Sequence, residues 1–202
     1  EGRTAIRFNL ARAGSCFVVF RGTEASAPVP SKMPDATNEK AILTGPWTLT
    51  YPAGWGAPAS IETAELKAWK DLDVPEEAKS FSGTVVYTTA FDAGELAENT
   101  AYFLDLGRVE MIAAVALNGK TLRTLWTPPY SLDITGALKP GKNDLRIDVT
   151  GAWFNRLVYD AHQPEAQRKT WVIGGPEKEE SLRESGLMGP VRIVERAPSE
   201  KE

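Results

Sequence analysis

Between Trp153 and Trp171 the chain gathers an amide, a guanidinium, a phenol, a carboxylate and its one imidazole: Asn155, Arg156, Tyr159, Asp160 and His162. These side-chain types suit a pyranose, whose apolar C–H faces and rigidly spaced hydroxyls are met by an aromatic platform beside planar polar groups. The segment reads three ways: as a ligand site, as a surface that completes a neighbouring domain's site, or as a long loop. In the last, Trp153 and Trp171 pack the loop down while Arg156 and Asp160 form a buried ion pair. Strand alternation would put Trp153, Asn155 and Leu157 on one side and Phe154, Arg156 and Val158 on the other, so not all of them can face one ligand.

Three more aromatics are candidate sugar platforms. Trp55 stands between Gly54 and Gly56, and Trp126 and Tyr130 flank Pro128-Pro129. Trp47 and Trp69 are expected to serve core or edge packing. Glu62 with Glu65, or Asp105 with Glu110, could be imagined as the paired carboxylates of glycoside hydrolysis, but their settings fit solvated or turn-capping roles. No catalytic residue is assigned within this chain. There is no Gly-rich phosphate loop and no Gly-x-Ser-x-Gly elbow. His162 has no second soft ligand at zinc spacing, and Cys16, within Ser15-Cys16-Phe17-Val18, is expected as a buried strand residue.

A chain of 202 residues with net charge −4 and scattered Lys and Arg lacks the basic footprint of a nucleic-acid binder. No apolar run approaches the roughly 20 residues of a membrane-spanning helix. Neither nucleic acid nor membrane is an expected partner. The sequence begins with Glu1, which suggests a processed chain or a piece of a longer protein.

The elements that must hold these residues are strands. Val85, Tyr87 and Phe91 share one face, and Leu145, Ile147 and Val149 alternate with Arg146, Asp148 and Thr150. Asn118-Gly119, between Val115/Leu117 and Leu122/Leu125, signals a hairpin because a type I′ turn needs φ > 0 at both central positions. Further strands are expected over 102–107, 109–118 and 191–195, with brief helices only at 63–69 and 177–184. Many short strands with turns between them imply an all-β, antiparallel sandwich. Four segments are expected: a terminal hairpin of a preceding domain over 1–25, a linker over 26–41, the β-sandwich over 42–196, and a disordered tail over 197–202. The oversized connection from Trp153 to Gly189 is long enough to be functional.

Several motifs occur in one order: Gly45-Pro46-Trp47, Phe81-Ser82-Gly83-Thr84, Leu104-Asp105-Leu106-Gly107, Leu117-Asn118-Gly119-Lys120, Trp153-Phe154-Asn155-Arg156-Leu157 and Ser185-Gly186-Leu187. Over residues 42–195 the chain thereby resembles the galactose-binding-like jelly-roll domain of family 2 glycoside hydrolases. It resembles more closely the C-terminal domain of α-L-rhamnosidase-like enzymes of family 106. The resemblance implies a secreted or periplasmic enzyme whose catalytic carboxylates lie outside this chain, with carbohydrate and the catalytic domain of the same parent chain as partners. It implies no cofactor beyond a structural calcium that such sandwiches often carry. By the same resemblance the long loop reaches the catalytic barrel, and Asp160 is its acidic substrate contact, supported by Asn155 and Arg156. Tyr159 departs from the pattern, where a small residue precedes the acid. The expected role is a non-catalytic accessory domain, with an autonomous carbohydrate-binding module or a structural spacer as alternatives.

Overall fold

The structure, a computed structural model, describes residues 38–176 and 179–196, together with residue 6 and residues 17–20. Most of the hairpin expected over 1–25, Cys16, most of the linker and the tail lie outside the described residues. Within them the chain is an antiparallel jelly-roll β-sandwich. One sheet has the order β1 (Asn38–Ile42), β12 (Arg192–Arg196), β5 (Ala101–Asp105), β9 (Ser131–Asp133). The other runs β3 (Ser60–Thr63), β2 (Trp47–Thr50), β4 (Thr84–Asp92), β10 (Lys142–Thr150), β7 (Ile112–Leu117), β8 (Lys120–Leu125). A third pair joins β11 (Gly186–Gly189) to β6 (Arg108–Glu110). β1 pairs with β12 from Asn38 onward, so residues 38–41, expected in the linker, belong to the sandwich.

Period-two patterning explains the layers. In β10 Leu145, Ile147 and Val149 are buried while Asp144 and Arg146 face out, and in β4 Val85 and Tyr87 point the same way as they do. The other sheet supplies Leu104 and Ile193, and Trp47 and Trp69 are fully buried between the layers. Each buried aromatic removes roughly 150–250 Å² from water, worth at most about 4–6 kcal/mol before ordering costs.

Turn chemistry sets the register. Asn118 and Gly119 have φ of 53° and 78°, as the I′ hairpin between β7 and β8 requires. The Asn118 amide also donates to Asn143 Oδ1 and Ala137 O, while Asn143 donates to the carbonyls of Lys139 and Gly141. Two turns distant in sequence are thus locked together. Trp69 donates from Nε1 to the Tyr87 hydroxyl at 2.6 Å, and the Leu187 amide donates to the same oxygen. A Cβ on Gly186, where φ is 106°, would stand 2.5 Å from Trp69 Nε1. The Ser185-Gly186-Leu187 motif is therefore a packing requirement for Trp69.

Helices differ from expectation. Residues 63–68 are strand end, bend and coil, and the short helical turns begin only at Trp69, over Trp69–Asp71, and in α1 (Glu76–Lys79). No helix forms over the described part of 177–184. The long connection instead carries α2 (Phe154–His162), so the strand alternation expected over 153–158 does not hold. Asn155, Arg156, Val158 and Asp160 face inward. The buried face of α2 is largely polar, which hides its helical period from any search for apolar spacing. Pro164 holds Gln163 extended (ψ 151°) and ends the helix.

Candidate functional site

Strand register brings separate segments to one end of the sandwich. Thr150 of β10 pairs with Thr84 of β4 and with Ile112 of β7, and Ala113 pairs with Leu125 of β8. β2 pairs antiparallel with β4 and ends at the same edge, with Thr50 opposite Val86. The chain after β2, the start of β7, the chain after β8 and α2 therefore meet there. Trp55, Trp126, Tyr130, Asn155, Arg156 and Asp160, scattered over more than 100 positions, share this end.

Arg156 is the hub. It is 1% exposed, and its Nη1 donates to Glu77 Oε1 at 2.8 Å while Nη2 donates to Asp160 Oδ1 at 2.7 Å. Its guanidinium carbon lies 5.4 Å from the Trp55 ring centroid and 5.0 Å from that of Tyr159. Asp160, also 1% exposed, spends its second oxygen on three donors: the amides of Lys169 and Thr170 and the Thr170 hydroxyl, at 3.1, 2.7 and 2.6 Å. Lys169 Nζ donates to Glu77 and to the carbonyl of Gly54. One ion network, buried at its Arg156–Asp160 centre and open to solvent at Lys169, thus ties the Trp55 loop, α1, α2 and the strap over 168–170 together.

The charges answer to this network. Burial pushes the Asp160 carboxyl up, but hydrogen bonds from Arg156 and Thr170, with the Arg156 charge, outweigh it and hold the group below its ordinary value of 3.8. Glu77 is lowered first by its hydrogen bond from Lys169 and then by that from Arg156. Both carboxylates stay ionised.

The candidate residues fall into three settings. Asn155, Arg156 and Asp160 are interior: Asn155 exchanges both amide hydrogen bonds with the backbone of Arg183 at 2.8 Å, so all three are committed to protein partners. The buried pair expected of Arg156 and Asp160 is present. Tyr130 is also interior, donating its hydroxyl to Met111 O, which leaves it unsuited as a sugar platform. Trp55 is half-buried and packs edge-on against Trp153 at 5.5 Å. Only Trp126, 70% exposed, stands free. Trp171, expected to pack the loop down, is 78% exposed, and Ile173 beyond it is 83% exposed. Trp153, Met111 and Ile112 add exposed apolar surface at the same end.

Elsewhere Asp105 has structural partners. Asp105 accepts from the Gly107 amide and pairs with Arg192, the turn-capping role expected of it. His162 closes α2 with Nδ1 against Val158 O. Among the described residues no three His, Cys, Asp or Glu side chains converge on one point. No helix of the described residues is long and apolar enough to cross a membrane.

Glu77, Lys169 and Thr170 were not recognisable in the sequence, because a partner 79 positions from Arg156 is set only by tertiary packing. Trp171-Val172-Ile173-Gly174-Gly175 did carry a signal: an apolar run ending in glycines inside a polar connection.

An antiparallel sandwich of this order, with one elaborated end, defines a class. The family model for the glycosyl hydrolase 2 galactose-binding domain-like fold matches residues 75–187, over half of the chain, and the chain belongs to that family. A rhamnosidase from Novosphingobium sp. PP1Y is 38% identical and superposes with a TM-score of 0.74, over 86% of this chain and 16% of that one. A candidate beta-glucuronidase of Formosa agariphila is 35% identical over 75% of this chain and 15% of its own length. A beta-glucuronidase from an uncultured Clostridium sp., 20% identical with a TM-score of 0.58 over 82% of this chain and 30% of that one, shares the fold. The chain thus spans about one sixth of the length of its two more similar relatives.

Proposed function

We propose that the chain is the non-catalytic accessory domain of a larger glycoside hydrolase of the α-L-rhamnosidase type, and that its α2 end docks against the catalytic domain of the same parent. The observation that carries this is a rigid base beneath an exposed apolar tip. Four donors on Asp160 and two ion pairs on Arg156 fix the strap, yet Trp171 and Ile173 project from it uncovered. A soluble protein rarely leaves so concentrated an apolar group open unless something covers it.

In this reading Asp160 acts by position. Both of its oxygens are occupied, so it sets the strap that meets the neighbour rather than touching substrate. Polymeric glycans lie outside the cell, and the proposal carries with it an exported parent, secreted or periplasmic. In the parent enzyme, Trp171→Ala combined with Ile173→Asp should lower kcat/KM on a small soluble aryl glycoside at least tenfold while the domain's own unfolding midpoint is unchanged. An unaltered kcat/KM would remove the docking reading.

One observation favours a second reading, an autonomous carbohydrate-binding module. Trp126 is 70% exposed beside the stiff Pro128-Pro129 step. That reading requires saturable oligosaccharide binding at this end of the 202-residue chain, lost in Trp126→Ala.

A further inference from the structure

The outer face of the six-stranded sheet carries a feature that docking does not use. It is a trough of about 620 Å³, within the roughly 300–1,000 Å³ of small-ligand sites. Register aligns Thr48, Thr88, Arg146, Ala116 and Thr121 in one row across five strands. With strands about 4.8 Å apart this row is roughly 19 Å long. The adjoining row has Asp148 beside Ala114, and Asp144 lies opposite Ala90. Gly119, Pro46 and Asp144 line the trough, so it extends toward the end of the sandwich away from α2.

A water-facing sheet surface ordinarily bears long polar side chains. Here the floor is methyl and hydroxyl groups, and the long charged residue Glu62 stands outside it on β3, opposite Thr48. Arg146 is the exception, and it is fixed: Nε and Nη2 donate in parallel to the two oxygens of Asp148 at 2.8 and 3.0 Å. Three of its five N–H groups remain for a ligand, next to Asp148's remaining lone pairs.

We propose that this trough is a ligand site for a neutral oligosaccharide, lying along the outer face of the six-stranded sheet. Methyl groups of Ala90, Ala114, Ala116 and Thr88 form a flat floor for the C–H face of a pyranose. The Arg146–Asp148 plane and the Thr48, Thr88 and Thr121 hydroxyls match vicinal sugar hydroxyls. Charge selects neutral chains: the ionisable lining is Asp144, Asp148 and Arg146, two negatives and one positive, which repels a uronate. A protein occupant fits less well, because the aromatic and Met anchors that centre such interfaces are missing from the floor. The proposal does not rest on the docking reading, since the parent-enzyme assay on Trp171 and Ile173 probes other residues.

The test is titration of the isotope-labelled 202-residue chain, by amide NMR, with cellohexaose, mannohexaose, xylohexaose and galactohexaose, and with hexagalacturonate for comparison. Saturable shifts of the Thr88, Ala114, Ala116 and Arg146 amides with at least one neutral probe are expected. Affinity should fall at least tenfold in Ala116→Gln, which fills the trough, and in Arg146→Ala, whose exposed side chain can be removed without touching the core. Thermal midpoints of both variants check folding. The proposal is overturned if no neutral probe binds, if shifts are confined to the Trp126 and Trp171 end, if hexagalacturonate binds as tightly, or if both variants bind normally.

Discussion

Arg156 and Asp160 show how a residue pair that looks suited to a ligand can be consumed by its own fold. Two groups 1% exposed, joined at 2.7 Å, are expensive to separate. Removing one partner of a buried pair costs about 3–5 kcal/mol. Asp160→Asn should therefore destabilise the domain by about 3 kcal/mol at pH 7, read from the urea midpoint. The pH dependence follows from the depressed carboxyl: its stabilisation is full above the ordinary value of 3.8 and is lost as pH falls through the lower folded value. The gap between wild type and Asp160→Asn should thus shrink as pH drops below about 4, and a gap constant from pH 7 to pH 3 would contradict this. The types of both residues were plain in the sequence. Their direction was not, because it depends on Glu77, Thr170 and a helix whose inward face is polar.

Elements repeat the contrast. The strands β4, β7, β10 and β12 and the Asn118-Gly119 hairpin were legible, since a half-buried strand writes its period of two into the sequence and a I′ turn demands φ > 0. α2 was not, because its stability comes from hydrogen bonds and ion pairs to α1, Ser82 and the 168–170 strap rather than from an apolar stripe. The short β11 owes its placement to Trp69. Gly186→Ala would force a Cβ to 2.5 Å from the indole nitrogen at a φ of 106°. It should cost about 3 kcal/mol through strain and overpacking and shift the emission of the buried tryptophans. A substitution that leaves the unfolding midpoint unchanged would show that Trp69 is free to move aside.

At the scale of the whole molecule, the sandwich has one end built for rigidity and exposure together, and it occupies about one sixth of its relatives' length. If the α2 end docks as proposed, a parent enzyme that lacks this domain should lose turnover even on a small soluble glycoside. Loss restricted to polymeric substrate would instead mark a binding module. Composition, period and turn residues were enough to determine an antiparallel sandwich and to pick out the segment after β10, since those signals are local and repeat along the chain. Only the tertiary structure decided that Asn155, Arg156 and Asp160 turn inward while Trp126, Trp171 and Ile173 stay outside. Strand register, which no local pattern encodes, brings distant segments to one end and lets burial select which side chains find partners.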